Sequence, residues 1–272
     1  MPWASRHTIA CVNDFPWITS LGRRQHFARV CSSKGGDVSS CYLPTPQGTL
    51  RRAWHEFYIR LAYNVWRRQI STFGRWSSPD SIYVLECGTG PGFLLICLGR
   101  WFPKAILFGL DVDFQLICEA QTKTTRSHFV QASATQIPFS DTTFDLVIAL
   151  HLIEHLPEPA WFFAEARRVL RNKGLLMIAT PNPKGMGARL MGERWAGWQD
   201  ESHINLNPPA YWRELIRGNG FVILKDGTTG LSGIPVFRKL PMALFNWVPL
   251  FLFGFFPWEH GEAYVCVASP CR

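Results

Sequence analysis

Short, nearly continuous apolar runs alternate along the middle of the chain with stretches whose apolar residues recur every three or four positions. The runs at 82–85, 105–111, 128–132, 143–150 and 175–180 predict strands, and 93–98, 114–122 and 158–170 predict the helices between them. The run that follows Asp145 is apolar at nearly every position, as a strand covered on both faces requires. Lys173 and Gly174 read as a basic last turn and a glycine stop for the helix before them. Asn207 and Pro208 predict the N-cap and first-turn proline of a further helix ending at Gly218-Asn219-Gly220. Two closing strands are predicted at 221–225 and 264–268. Alternation of strand and helix through seven strands predicts an α/β fold with a doubly wound, mainly parallel seven-stranded sheet, and places ligands at the strands' C-terminal ends.

The flanks lack this alternation. Residues 1–48 show no sustained period and end in Leu43-Pro44-Thr45-Pro46-Gln47-Gly48, which predicts a weakly ordered extension before a domain at 49–272. In that domain, 49–78 holds an amphipathic helix in which Leu50, Trp54, Phe57, Leu61, Val65 and Ile70 share a face. This helix packs on the core, lies as a lid over the mouth of a site, or presents a face to a membrane. Residues 79–182 form the ligand-binding half, and 183–272 a second half with an insert at 227–262. The apolar stretch 240–258 in that insert is under twenty residues long and is broken by Asn246 and Pro249, so it makes a poor membrane span. It reads as a cap over the core, as the wall of an apolar pocket, or as a peripheral membrane contact with Arg238 and Lys239 at its edge.

Charge and cysteine content change this picture little. The chain of 272 residues carries a net charge of +8, of which +7 lies in residues 1–80, where eleven basic side chains face four acidic ones. The basicity therefore belongs to the N-terminal segment, as a solvated arm or a surface for anionic partners. The eight cysteines, at 11, 31, 41, 87, 97, 118, 266 and 271, form no C-x-x-C pair and have no histidine at zinc spacing. They fit a reducing, cytoplasmic setting, and no apolar leader segment stands in the first thirty residues.

Candidate chemistry concentrates after the first strand, at Glu86-Cys87-Gly88-Thr89-Gly90-Pro91-Gly92. Glycine lets the backbone turn tightly and approach a ligand without a Cβ in the way. The spacing is G-x-G-x-G, whereas a dinucleotide fingerprint would need a glycine at Phe93, and no Lys-Ser/Thr pair follows to make a phosphate loop. Asp111 closes the second strand a little over twenty residues beyond the glycines, a position from which a carboxylate can accept both hydroxyls of a ribose.

Four elements together resemble the class I S-adenosylmethionine-dependent methyltransferases, in particular the small-molecule branch related to quinone-biosynthesis O-methyltransferases. They are the glycine turn 86–92, Gly109-Leu110-Asp111-Val112-Asp113, the segment from Ile137-Pro138-Phe139 to Phe144-Asp145, and Glu154-His155-Leu156 leading to Arg168-Val169-Leu170. The resemblance covers about residues 80–226. It implies a Rossmann-like methyltransferase fold with an antiparallel final strand and S-adenosylmethionine as cofactor. Gly88 and Gly90 would back the methionyl part, Asp111 would hold the ribose, and Ser133 and Ala134 would border the adenine. Glu86, Thr89, Gly92, Val112, Leu150 and His151 would complete the cofactor contacts. Family members often have an acid at the Ser133 position. The expected reaction is methyl transfer to a small, apolar acceptor, with oxygen favoured as the acceptor atom. The alternative is a non-catalytic cofactor-fold module for protein or membrane association.

Other motifs in the chain fit rival chemistries less well. His151-Leu152-Ile153-Glu154-His155 matches an H-x-x-E-H zinc peptidase pattern, which needs both histidines on one face of a helix, yet His151 follows a buried strand directly and Pro157 closes the segment. Some quinone O-methyltransferases carry an E-x-x-E-H metal site here, and His151 replaces its first acid; no metal ligand is assigned. Asn207-Pro208-Pro209-Ala210 lies too far downstream for an amino-group methylation motif, and no aromatic and basic platform for nucleic acid accompanies it. Acceptor groups are expected from 183–205 and 227–262. Trp195 and Trp198 stand near Asp200 and His203 there, with His203 the first candidate for a general base and His155 the second.

Overall fold

The apolar runs become the strands of one sheet. In the computed structural model, which describes residues 66–74, 82–231, 234, 242 and 258–271, these are β1 (Tyr83–Cys87), β2 (Ile106–Asp111), β3 (Ser127–Gln131), β4 (Phe144–Leu150), β5 (Leu170–Pro181), β6 (Phe221–Thr228) and β7 (Ala263–Pro270). The strand order is β3-β2-β1-β4-β5-β7-β6. The first five strands pair in parallel, and β7 runs antiparallel to both β5 and β6, as expected. The order reverses between β1 and β4, so the glycine turn after β1 stands at the switch point where open α/β sheets bind ligands.

The helices are α1 (66–73), α2 (Phe93–Trp101), α3 (Phe114–Lys123), α4 (Pro159–Val169), α5 (Met186–Met191), α6 (Ala196–Gln199) and α7 (Pro209–Gly218). Alternating strand residues feed two cores, one on each face. Leu85, Phe108 and Phe144 pack with Phe162 of α4 and Trp212 of α7. Val84, Leu107 and Leu146 pack with Leu94 and Leu98 of α2 and with Trp66 and Ile70 of α1. The described part of the N-terminal helix is thus packed on the core. The extension 1–48 and most of the apolar stretch 240–258 lie outside the described residues, and among those described no helix is long and apolar enough to cross a membrane.

Two of the motif elements brace the sheet. Asp145 Oδ2 accepts from the Tyr83 amide at 2.9 Å and from Arg171 Nη1 at 2.6 Å, which ties the starts of β1, β4 and β5 together. Arg168 binds Glu165 and Asp141 and donates to the Phe139 and Ile137 carbonyls, holding the segment before β4 against α4.

Two expectations need correction. The helix predicted to stop at Lys173-Gly174 ends at Val169, and Leu170 already belongs to β5. Gly174 sits instead in an irregular stretch of the β4–β5 ladder, where pairing jumps from Phe144↔Leu170 to Leu146↔Leu175. A Cβ on it would come within 2.8 Å of Leu170 Cδ2 and 3.2 Å of the Asp145 carbonyl oxygen, so close approach requires the glycine. Secondly, α7 begins one residue later than predicted: Pro208 is its cap and Pro209 its first residue, while the Asn207 carbonyl accepts from the Trp212 indole at 3.0 Å. Cys87, Cys266 and Cys271 are free thiols.

The junction of β6 and β7 is tightly closed. Thr228 Oγ1 donates to the Trp258 carbonyl at 2.9 Å and accepts from the Gly261 amide at 3.0 Å. The Thr229 amide donates to the Ala263 carbonyl, and the Glu262 amide to that of Gly230, each at 2.9 Å.

Phe144 is fully buried and meets Phe139 and Phe108 edge-on, with ring centroids 5.0 and 5.7 Å apart. Phe144→Ala is expected to lower unfolding free energy by about 3–5 kcal/mol in urea titration.

Candidate active site

The glycine turn owes its shape to hydrogen bonds with the end of β2. The Gly88 and Thr89 amides donate to the Leu110 carbonyl at 2.8 and 3.0 Å, and the Gly90 amide donates to Asp111 Oδ2 at 2.8 Å. Gly88, Gly90 and Gly92 all have positive φ, at 71°, 49° and 75°, a backbone region that side chains disfavour. Gly92 is also the N-cap of α2, so the helix N-terminus opens onto the turn.

Asp111 is buried, and its other oxygen, Oδ1, accepts from the Asp113 amide at 3.0 Å. Each carboxylate oxygen therefore accepts from one backbone amide and keeps a further lone pair, which suits acceptance of hydroxyl donors. Val112 beside it is 66% exposed and offers a bare apolar face at the same strand end. Asp113 caps α3 through bonds from the Gln115 and Leu116 amides. Ala134 is buried, but the Ser133 hydroxyl is engaged locally, with Thr135 Oγ1 at 2.8 Å and the Thr135 amide at 3.2 Å. Its free acceptor capacity is smaller than the sequence suggested.

Glu86 and Thr89 are buried under the turn, and Thr89 Oγ1 donates to Glu86 Oε2 at 2.8 Å. Burial pushes the Glu86 carboxyl up to about 8; the Thr89 hydrogen bond opposes this and the Asp111 charge adds to it.

At the end of β4, Leu150 leads to His151, which takes a positive φ of 54° and donates its amide to the Ala179 carbonyl at 2.8 Å. This turn aims the half-exposed imidazole back at Glu154, with Nδ1 3.3 Å from Oε1. Glu154 itself is fully buried. Burial works to raise its carboxyl, but the hydrogen bond and charge of His151 outweigh that and hold it below the ordinary range. Ile153–His155 form a single 3-10 turn, so no helix presents the H-x-x-E-H histidines on one face.

The loop after β5 folds onto this turn. The Asn205 amide donates to the Glu154 carbonyl at 2.9 Å, and Asn205 Nδ2 donates to the Leu156 and Pro157 carbonyls. His155 and His203, predicted separately, come together with ring centroids 4.8 Å apart. His155 Nδ1 lies 3.1 Å from the Ser202 carbonyl and 3.0 Å from its hydroxyl, which in turn reaches Asp200 Oδ1. His203 Nδ1 lies 2.9 Å from the Gly197 carbonyl. The two tryptophans are placed differently. Trp195 is buried, with its indole N–H on Glu262, whereas Trp198 is half exposed and meets Trp195 edge-on. Sequence reasoning missed Asn205 and Ser202, which no motif marks. A groove of about 600 Å³ near Thr142, Asn172 and Gly220, where β4, β5 and β6 begin, holds none of the predicted site residues.

A glycine turn at the switch point, closed beneath by an acid at the end of β2, defines the class I methyltransferase type of doubly wound fold. The chain matches a family model described as a methyltransferase domain over residues 58–226, and so belongs to that methyltransferase family, whose cofactor is S-adenosylmethionine. A probable S-adenosylmethionine-dependent methyltransferase of Mycobacterium tuberculosis is 35% identical over 102 residues, which are 36% of this chain and 35% of the relative. A malonyl-[acyl-carrier protein] O-methyltransferase of Legionella pneumophila is 30% identical over 125 residues, 45% of this chain and 43% of the relative. The chain thus spans well under half the length of these curated relatives. Among solved structures, a chain from the complex of the Haloferax volcanii Trm112 methyltransferase activator with a methyltransferase aligns at a TM-score of 0.55 and 19% identity, covering 81% of this chain and 95% of its own. An S-adenosylmethionine-dependent methyltransferase from Aquifex aeolicus aligns at 0.51 and 16%, covering 74% and 88%. At such identities these two share the fold.

The Glu86 proton has a measurable effect on stability. The folded protein holds it to about pH 8, whereas the unfolded chain releases it near 4.5. Its contribution is therefore complete below about 4.5 and is lost as pH rises through about 8. Glu86→Gln removes this titration, so the stability of the variant relative to wild type should rise across that window in thermal melts.

Proposed function

We propose that the protein transfers a methyl group from S-adenosylmethionine to an oxygen of a small, apolar acceptor. The observation that carries this reading is the turn held open over a buried acid: Gly90 bound to Asp111, with the three positive-φ glycines and the α2 N-terminus around it. Gly88, Gly90 and Gly92 are assigned to the methionyl side, with Glu86 and Thr89 beneath them. Asp111 takes the ribose hydroxyls, Val112, Ser133 and Ala134 flank the adenine, and Leu150 and His151 close the pocket from β4. The oxygen preference draws support from the Legionella relative, which is named as an O-methyltransferase.

When bound, S-adenosylmethionine supplies a sulfonium methyl whose C–S bond breaks as the acceptor's O–C bond forms. The chain's own task is positioning in a site shielded from water, which can remove about 7–11 kcal/mol of barrier. The acceptor's hydroxyl proton must go to a base. His203 is assigned that role, with His155 as its neighbour: the Gly197 carbonyl can only accept, so the His203 proton sits on Nδ1 and Nε2 is left basic.

Two measurements test the reading. By calorimetry, wild type should bind S-adenosylmethionine and Asp111→Ala should bind it about 10–100-fold more weakly; absence of binding by both proteins removes the proposal. In a labelled-methyl screen over phenols, quinols, lipids and sugars, His203→Ala should keep its cofactor affinity and lose about 10²–10⁴-fold in kcat. Binding without transfer across the panel favours the cofactor-fold association module, for which the engaged Ser133 hydroxyl is the structural support.

A further inference from the structure

The turn after β4 and the loop after β5 build a second polar centre beside the glycine turn. A Cβ on Gly88 would lie 3.1 Å from Leu152 Cδ1, so the 151–155 turn touches the backbone assigned to the cofactor. From the two segments, one carboxylate oxygen of Glu154 and one ring nitrogen each of His155 and His203 lie within 4.8 Å of one another. The Asn205 amide on the Glu154 carbonyl, at 2.9 Å, joins the segments through backbone. Every group in this centre is a hydrogen-bond acceptor. Glu154 is fully buried; its Oε1 faces His151, and its Oε2 has no hydrogen-bond partner. Burial opposes ionisation of this carboxyl, but the His151 hydrogen bond and charge hold it below the ordinary range, so it is a carboxylate at neutral pH. His155 Nδ1 leans on the Ser202 carbonyl at 3.1 Å and His203 Nδ1 on that of Gly197 at 2.9 Å. A carbonyl can only accept, so each ring carries its proton on Nδ1 and presents Nε2 as an acceptor. Asp200 Oδ2, 3.6 Å from His203 Nε2, adds another at the rim. A buried carboxylate oxygen without a donor is costly, and neither imidazole has a proton left to give it.

Such a centre suits a ligand group that brings several donors and a positive charge. A hydroxyl brings one donor and no charge, whereas a primary ammonium brings three donors and a charge to set against the buried carboxylate. The spacing agrees. An atom midway among three acceptors 4.8 Å apart lies about 2.8 Å from each, the length of a charge-assisted N–H hydrogen bond. We propose that Glu154, His155 and His203 form a subsite for a primary ammonium group, and that amines with an apolar body are a second acceptor class, methylated on nitrogen. The subsite stands on this geometry alone; transfer to nitrogen rests on the methyl-transfer reading above. In that step His203 Nε2 takes one ammonium proton, and the freed nitrogen lone pair forms the N–C bond as the C–S bond of the bound sulfonium breaks. The C–S electron pair leaves on the sulfur, and the methylated nitrogen keeps two hydrogens and a positive charge. Glu154 stays ionised throughout, facing a cation before and after transfer.

The test uses the full chain, dialysed against a chelator and titrated by calorimetry with n-hexylamine, 1-hexanol and hexyltrimethylammonium. The three share an apolar body; the alcohol lacks the charge and the quaternary ion lacks N–H donors. The amine should bind at least about tenfold more tightly than either. His155→Ala and His203→Ala should each weaken amine binding by at least about tenfold, while the exposed His260→Ala should leave it unchanged. Glu154→Gln, at a core position, is scored only alongside circular dichroism, and the two histidine variants carry the decision if it fails to fold. Equal affinity for the three ligands, or unchanged amine affinity in the double histidine variant, overturns the subsite. Labelled methyl on n-hexylamine, lost in His203→Ala, supports the second acceptor class; a protein that binds both amine and cofactor and labels nothing overturns it. S-adenosylmethionine affinity, measured alongside, separates the two readings: amine binding without cofactor binding leaves the subsite standing and removes methyl transfer, and the reverse result does the opposite.

Discussion

Parallel pairing of β1 with β2 in a single register is what gives the glycine turn its shape. With Cys87 opposite Leu110, the strand that ends in the turn and the strand that ends in Asp111 finish at one level. Only then can the Leu110 carbonyl take the Gly88 and Thr89 amides while the Asp111 carboxylate takes Gly90. Three glycines in a row of five would otherwise sample many conformations. A slip of the ladder by one residue would separate these partners and turn the strand's core residues to the opposite face. The site is in this sense a property of sheet register, and the bracing of the strand starts by Asp145 and Arg171 serves it from the far end.

A comparable constraint holds the other half. The segments after β4 and β5 leave the sheet separately and are rejoined by Asn205, so Glu154, His155 and His203 occupy one small volume. The strained turn at His151 belongs to this arrangement, because it redirects the chain within a single residue from a buried strand to a buried carboxylate. The segment that follows β5 therefore meets the end of β4 through named contacts rather than by proximity alone.

Much of the fold was legible in the sequence because its signals are local. Apolar runs marked all seven strands, and the spacing from the glycine turn to Asp111 is fixed by one helix and one strand. What escaped depends on residues far apart in the chain. Gly174 looks like a helix stop until the Asp145 carbonyl is seen pressing on it. The burial of Trp195 against Glu262, 67 residues away, has no periodic trace. Of the candidate site, the individual residues were readable and their assembly was not: His155 and His203 were named apart, and neither Asn205 as the tie nor the bare oxygen of Glu154 could be inferred from spacing.

The closed junction of β6 and β7 bears on how such a protein can diversify. Thr228, Thr229 and Gly230 are bonded across to Trp258, Gly261, Glu262 and Ala263, so the two strands meet through their own contacts at the root of the intervening segment. The sheet's last pairing then does not rely on the length or composition of what is threaded between them. Changes of length or sequence in that stretch can therefore accumulate without disturbing the sheet on which the glycine turn depends.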